Sequence, residues 1–378
     1  MVTGTRKTKD FPILPLFAML GILCSILAYQ YQRHGASIFF SQSHFDLHNT
    51  AEEWQSLLDG KILLLLGGQH RGGTTLLWKI LDAHPEISGL ATTSPSVESV
   101  DGIHEKRKCG EGILIQNVYS RHGIGVEYLM KNNLAFQKKM VGMGRYALGE
   151  ESSVHLTEKD RRVTPKNMAK LLNRYSYYWN TTKRVLVEKS PPNAVMSRFL
   201  QAIYRQGSSS FGDGDAGGGG GGGGGLLTKF IFVTRHPIAN VLAHKVYLDG
   251  AYHVTLSTLF DNYVKVHQYI KADLPHLQKN GEPMIIHLEN LTADPEAAVA
   301  KVFNWAGVDA KEATVKDVLH SRLAEKIIAD PNAKYRESWC SGKNDSEVWN
   351  RQKDLALQYQ PVIDELGLGY DLVGWCDE

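Results

Sequence analysis

Four short, largely apolar runs lie in the chain, and each is followed by apolar positions at helical spacing. The runs cover residues 62–66, 184–189, 229–234 and 283–288. Because they are short and show no alternation, they are typical of strands buried on both faces. Strands that alternate with helices predict an α/β fold, with a parallel sheet and helices on both faces. Residues 82–89, which hold a proline and a glycine, are predicted to form a turn.

The first run leads directly into a loop that is suited to bind an anion. Arg71-Gly72-Gly73-Thr74-Thr75 separates the predicted strand from the next helical pattern. N–H groups and the dipole at a helix N-terminus favour phosphate or sulfate, and arginine and hydroxyl groups add donors. The loop is not a Walker A motif, which needs Gly-Lys followed by Ser or Thr. A purely structural turn is the alternative.

Cations lie at the ends of three of the predicted strands, at Arg71, Lys189 and Arg235. Ligands of parallel sheets bind beyond the carboxyl ends of the strands. We therefore expect these three side chains to surround one anionic ligand. The formal net charge is only +2, so anion binding has to be local, and no general nucleic-acid surface is indicated.

The N-terminus has the pattern of a membrane anchor. Residues 1–10 carry three basic side chains, and an uncharged stretch follows at 11–31. Roughly 20 apolar residues span a bilayer, and preceding positive charges keep the N-terminus cytoplasmic. We expect a signal-anchor transmembrane helix at 11–31, a polar stem at 32–59 with a short helix around Trp54, and a luminal domain at 60–378. A cleaved signal peptide is the alternative.

Two features agree with a luminal domain. Three triplets match the glycosylation acceptor pattern, and they begin at Asn180, Asn290 and Asn344. Three cysteines outside the apolar stretch, Cys109, Cys340 and Cys376, permit one disulfide. We expect it to join Cys340 to Cys376, and the cysteine spacing resembles no metal site.

Residues 207–225 form a low-complexity stretch that ends in nine consecutive glycines. Such a run has no side chains with which to bury apolar surface or to select a ligand. It predicts a mobile insertion on the surface of the domain.

Four segments resemble, in order, the motifs of the sulfotransferase superfamily, which uses 3′-phosphoadenosine 5′-phosphosulfate as donor. His70 to Leu76 is similar to the 5′-phosphosulfate loop, and Val187 to Asn193 to the Glu-Lys-Ser/Thr-Pro strand end. Val233 to Pro237 is similar to the strand end that binds the 3′-phosphate, and His287 to Pro295 to a later Glu-Asp-Leu…Asp-Pro element. The most similar branch is that of membrane-anchored, secretory-pathway enzymes, such as tyrosylprotein and carbohydrate sulfotransferases.

The resemblance implies a P-loop-like sheet and a role for each motif residue. Arg71 and Lys189 would hold the sulfuryl group and the leaving phosphate oxygen, and Arg235 would hold the 3′-phosphate. The donor loop consists of Arg71, Gly72, Gly73, Thr74, Thr75 and Leu76. Lys334 and Tyr335 are expected in a loop that closes over the 3′-phosphate end. The family requires no metal, and the sequence has no metal-ligand cluster.

One departure from the family pattern concerns donor binding. Ala243 stands where the family usually has a serine that contacts the 3′-phosphate. A cation next to it, His244 or Lys245, could replace the missing contact.

The second departure concerns the base that deprotonates the acceptor. Residues 90–93 contain no glutamate, although the tyrosylprotein branch has one there. We predict Glu111 as the base, because its Glu-Gly segment is similar to that of related anchored enzymes. Glu98 and His104 are the alternatives.

Together these inferences predict a single-pass type II Golgi membrane protein whose luminal domain sulfonates an acceptor hydroxyl. A glycan is the expected acceptor, and a tyrosine-containing protein is the alternative. A P-loop kinase or NTPase is a second alternative, disfavoured by the missing Gly-Lys-Ser/Thr. A nucleotide-binding protein without catalysis is the third, because Ala91 lies where the tyrosylprotein branch has its glutamate and Ala243 removes one expected donor contact.

Overall fold

The computed structural model describes residues 49–90, 111–122, 142–205, 226–248, 254–277, 281–321 and 327–377. These residues all fall in one unit, which extends from Leu47 to Glu378. The predicted anchor, the glycine-rich insertion, Glu98, His104 and Cys109 lie outside the described residues. None of the helices in the described ranges has the length and apolar character of a membrane span.

Five strands of the described residues form one parallel sheet. They are β1 (Ile62–Gly68), β2 (Ile87–Gly89), β3 (Val185–Lys189), β4 (Leu227–Thr234) and β5 (Met284–His287). Their order is β2-β3-β1-β4-β5, and every pair is parallel. The predicted α/β fold is confirmed, and the four apolar runs are β1, β3, β4 and β5. The predicted turn at 82–89 was wrong at its end, because Ile87 to Gly89 pairs with β3 as a short edge strand.

Helices connect and cover the strands. In chain order they are α1 (Ala51–Leu57), α2 (Thr74–Asp82), α3 (Gly112–Ile115), α4 (Glu151–Val154), α5 (Pro165–Tyr175), α6 (Ser197–Tyr204), α7 (Pro237–Leu248), α8 (Leu256–Leu277), α9 (Leu288–Ala293), α10 (Pro295–Ala306), α11 (Glu312–His320), α12 (Ala333–Cys340) and α13 (Ser346–Leu366). Short 3₁₀ helices lie at Pro191–Val195 and Ser341–Asn344.

The side chains of β1 alternate between two hydrophobic clusters, one on each face of the sheet. Leu63 and Leu65 pack with residues of α1, α5, α6 and α8. Leu64 and Leu66 pack with residues of α2, α10 and α11. All seven residues of β1 are buried, which explains its unbroken apolar sequence.

The last residues of the predicted stem pack on the folded domain. α1 begins with a capping box, in which Thr50 and Glu53 each accept a hydrogen bond from the other's backbone N–H. Trp54 is buried and donates its indole N–H to Asn173 Oδ1 at 2.8 Å. The predicted short helix is confirmed. Because it buries Trp54, the packed structure begins before residue 60.

Cys340 and Cys376 form a disulfide, which confirms the predicted pairing. It joins the end of α12 to the C-terminal segment, where Trp375 stacks on His236 with ring centroids 4.2 Å apart. His236 directly follows Arg235 beyond the end of β4. The disulfide therefore braces the edge of the sheet at which a ligand is expected.

Replacing Cys340 and Cys376 together with serine is expected to lower the free energy of unfolding. The disulfide spans a sequence separation of 36 residues, and opening a loop of this length gives the unfolded chain more conformational freedom, a loss of about 2–4 kcal/mol. Urea unfolding without reductant measures the difference. The unmodified protein in reductant should lose the same amount, and equal stability of oxidised and reduced protein would show that the disulfide does not stabilise the fold.

Candidate active site

The loop between β1 and α2 turns tightly through residues with positive φ. Arg71 has a φ of 61°, and Gly73 has a φ of 102°. The positive φ favours glycine at position 73, and a Cβ atom there would lie 2.6 Å from Leu288 Cδ1 and displace that side chain. The Gly72 N–H donates to Gln69 O at 3.1 Å and closes the turn. The chain thus passes from a buried strand into a helix within a few residues.

The N-terminus of α2 is open to an anion. Its N-cap is Gly73, and no side chain caps this helix. Arg71 and Thr75 are exposed beside it, whereas Thr74 is buried and Leu76 is half-buried. Uncapped N–H groups and the helix dipole favour phosphate or sulfate at such a position.

Lys189 reaches this loop from the neighbouring strand. The register pairs Lys189 at the end of β3 with Leu66 of β1. Its Nζ lies 3.3 Å from Thr75 Oγ1 and 2.8 Å from Glu111 Oε1. The Lys189 side chain is fully buried, and the Glu111 side chain is 14% exposed. The predicted base therefore lies beside the predicted transfer lysine, at the opening of the site.

Arg235 reaches the same loop from the other neighbour of β1. Its Nη1 donates to Arg71 O at 3.0 Å, and its Nε donates to Asn332 Oδ1 at 2.8 Å. The guanidinium carbon lies 4.9 Å from the centre of the Tyr335 ring. Burial lowers the pKa of the Arg235 guanidinium, but arginine remains protonated in proteins. The cation is thus fixed against the loop.

Glu289 holds Arg235 in place indirectly, through hydrogen bonds to the residues around it. Its carboxylate accepts the His236 backbone N–H at 2.8 Å and the Asn332 Nδ2–H at 2.7 Å. It also accepts the Tyr370 hydroxyl at 3.1 Å. Asn332 therefore connects Glu289 to Arg235. The sequence motif contains Glu289, but its role as an anchor for this asparagine and tyrosine was not predicted, because the partners are far away in the chain.

Lys334 and Tyr335 were expected in a loop, and this expectation was wrong. They belong to α12, in which Tyr335 is buried against Arg235 and Lys334 is exposed. The Lys334 Nζ lies 4.8 Å from the centre of the Tyr335 ring. The apolar packing of Tyr335 and Trp339 favours a helix here.

His244 does not replace the missing serine as a cation. Burial lowers the pKa of His244 to about 3, and its Nδ1 faces Asn240 O at 3.1 Å. Burial, with Lys189 and Arg71 nearby, also lowers the pKa of His70 to about 3. Both imidazoles are therefore neutral at physiological pH. Ala243 itself is buried in the cluster around α7 and α8.

The three predicted cations meet at one loop. Arg71 belongs to it, Arg235 donates to its backbone, and Lys189 contacts its Thr75 hydroxyl. Within the described ranges, no group of three or more His, Cys, Asp or Glu side chains could hold a metal ion. Glu98 and His104 are not described, so Glu111 is the base candidate whose position is known.

Comparisons with known proteins give distant structural similarities. No protein-family model matches the sequence, and curated proteins yield no match. The sulfotransferase domain of the Synechococcus PCC 7002 olefin synthase is 15% identical, with a TM-score of 0.38 over 78% of this chain and 91% of that one. A Mycobacterium tuberculosis sulfotransferase is 14% identical, with a TM-score of 0.39 over 73% of this chain and 76% of that one. A Mycobacterium avium sulfotransferase is 15% identical, with a TM-score of 0.40 over 69% of each chain. Similarities this distant assign no activity to this chain.

Proposed function

We propose that this chain transfers the sulfuryl group of 3′-phosphoadenosine 5′-phosphosulfate to an acceptor hydroxyl. The observation that carries the proposal is the convergence of Arg71, Lys189 and Arg235 on one uncapped glycine loop. A donor with two separated phosphate positions needs cations at two places along such a loop. Arg235 on one side and Lys189 on the other meet this need.

The chemistry follows from the positions of the charged groups. Glu111 would accept the proton of the acceptor hydroxyl, whose oxygen forms a bond to sulfur. The bond between sulfur and the bridging oxygen breaks, and adenosine 3′,5′-bisphosphate leaves. By analogy with phosphoryl transfer, positioning and electrostatic stabilisation provide most of the rate. Lys189, 2.8 Å from Glu111, would stabilise the charge that develops near the transferred group.

The acceptor we propose is a glycan hydroxyl. Residues 90–93 lack the glutamate of the tyrosylprotein branch, which disfavours tyrosine as the acceptor. We also propose that residues 11–31 anchor the enzyme in the Golgi membrane, with the folded domain in the lumen. The basic residues before this stretch support that orientation. The exposed asparagines of the three acceptor triplets, Asn180, Asn290 and Asn344, are compatible with it.

Adenosine 3′,5′-bisphosphate is expected to raise the melting temperature, whereas ATP with Mg²⁺ should not. The two phosphates of the bisphosphate match the cations on both sides of the loop. A ligand that binds only the folded state stabilises that state by about 2.7 kcal/mol when its free concentration is 100 times its Kd. A thermal-shift titration measures the effect. Stabilisation by ATP with Mg²⁺ and not by the bisphosphate would instead favour a kinase or NTPase.

An arginine variant tests whether the bisphosphate binds at Arg235. Arg235→Met should weaken binding of the bisphosphate by about 10- to 100-fold, since a charged hydrogen bond contributes roughly 1.5–3 kcal/mol. Binding of adenosine 5′-monophosphate should change much less. Arg184→Met is the matched control, because Arg184 lies just before β3, at the opposite end of the strands, and its side chain is 56% exposed.

A further inference from the structure

A buried polar cluster lies directly behind Lys189 and Glu111. Glu188 Oε1 accepts the Gly112 backbone N–H at 2.9 Å and the Ser190 hydroxyl at 2.5 Å. The Ser190 Oγ in turn accepts the Ile113 backbone N–H at 2.9 Å. Glu188 and Ser190 therefore hold two consecutive backbone N–H groups, those immediately after Glu111.

The close approach requires glycine at position 112. A Cβ atom there would lie 2.5 Å from Glu188 Oε1 and 2.7 Å from Glu188 Cγ. Any larger residue would displace either the 111–113 segment or the Glu188 side chain. The Glu-Gly pair thus combines a carboxylate that faces Lys189 with a glycine that lets the backbone approach Glu188.

We infer that Glu188, Ser190 and Gly112 are positioning residues, which set the Glu111 carboxylate against Lys189. The inference rests on the proposed sulfuryl transfer, in which Glu111 accepts the proton. It gives a role to a carboxylate in an unfavourable place: Glu188 is only 1% exposed, and an unpaired buried charge is costly. Its hydrogen-bond donors, which also include Asn193 Nδ2, offset part of that penalty.

The end of β3 holds two residues that contact the 111–113 segment. Lys189 and Glu188 are consecutive residues at the end of β3, and both contact the 111–113 segment. Ser190 is fixed by its own N–H, which donates to Leu66 O of β1 at 3.1 Å. The cluster therefore ties Glu111 to the same two strands that carry Lys189 and the donor loop.

Two variants of Ser190 with similar shape test the inference. Ser190→Val removes the hydroxyl and should lower kcat by about 100-fold, as expected for a misplacement of about 1 Å. The KM for the donor should stay within about twofold, because the donor loop is untouched. Ser190→Thr, which keeps the hydroxyl, should recover most of the lost kcat. Gly112→Ala should behave like Ser190→Val.

Some kinetic outcomes would overturn the inference. If Glu111→Gln is inactive while Ser190→Val and Gly112→Ala keep full kcat, the cluster is merely structural. If these variants raise the donor KM and leave kcat unchanged, the cluster acts on the donor site instead.

A second measurement needs no turnover, so it separates this inference from the proposed function. Glu111→Gln removes the partner of a buried lysine and should lower the melting temperature. In the Ser190→Val background the same change should lower it less, because the carboxylate is already displaced. Groups that do not interact give additive effects. Additive losses would overturn the inference even if the protein transfers sulfonate, and coupled losses would support it even if no turnover is found.

Discussion

Lys189→Met is expected to reduce the proposed sulfuryl transfer by about 100- to 1000-fold, the usual effect of removing one preorganised electrostatic contact from a transition state. Lys189 is the buried cation at the end of β3, and its Nζ contacts Thr75 and Glu111. Methionine has a similar length and no charge, so it fills the same space. The loss should appear in kcat, measured as transfer of labelled sulfonate to a panel of glycan and peptide acceptors.

The variant has to remain folded for this result to be informative. Glu111 is 14% exposed, so its carboxylate can be solvated when the lysine is absent. The variant should therefore still respond to adenosine 3′,5′-bisphosphate in thermal shift. Lys170→Met, on the exposed face of α5, is the matched control and should keep full activity. A Lys189→Met enzyme with kcat within about threefold of the unmodified protein would exclude Lys189 from the reaction, since even a weak electrostatic contact contributes more.

The sheet could be predicted from the sequence because its strands are buried on both faces. Strands β1, β3, β4 and β5 appear as apolar runs, and parallel pairing brings their carboxyl ends to one edge. The short edge strand β2 carries no such signal, since its three residues follow a proline turn. Its pairing with β3 depends on tertiary contacts alone.

The cations of the site could also be predicted, but their supports could not. Lys189 ends β3, and Arg71 and Arg235 come within three residues of the ends of β1 and β4, so their placement follows from the topology. The Asn332–Glu289 contact joins residues 43 positions apart, and Asn332 lies 97 positions from Arg235. A local sequence pattern cannot predict contacts between residues so far apart in the chain. Glu188 was recognised as part of a motif, but its contact with Gly112 depends on how the 111–113 segment lies on β3.

Acid is expected to destabilise the folded domain steeply between about pH 6.5 and pH 4. Burial lowers the pKa of five histidines in the described residues, to about 3 or about 4. These are His70, His122, His236, His244 and His267. The unfolded chain binds protons at histidine below about pH 6.5, whereas the folded chain does not until the pH is much lower.

The sign of the effect follows from this difference in proton binding. When the pKa of a histidine is lower in the folded state than in the unfolded state, its full contribution to stability is present above the unfolded-state pKa. That contribution is lost as the pH falls from the unfolded-state pKa toward the folded-state pKa. Each such histidine contributes up to about 1.4 kcal/mol per pH unit in this window. Burial raises the pKa of Glu188 to about 7, so this carboxyl acts in the opposite direction. Burial also raises the pKa of Asp82, but two such carboxyls do not balance five histidines, and net stability should fall with acid.

His267→Gln isolates one contribution. His267 faces Tyr263 O at 2.8 Å and Thr234 Oγ1 at 3.1 Å, contacts that a glutamine amide can replace without titrating. Urea unfolding over the same pH range should give a slope flatter by up to about 1.4 kcal/mol per pH unit. An unmodified protein with constant stability down to about pH 4 would mean that the buried imidazoles bind protons as readily in the folded state as in the unfolded state, and the lowered pKa of these histidines would then be wrong.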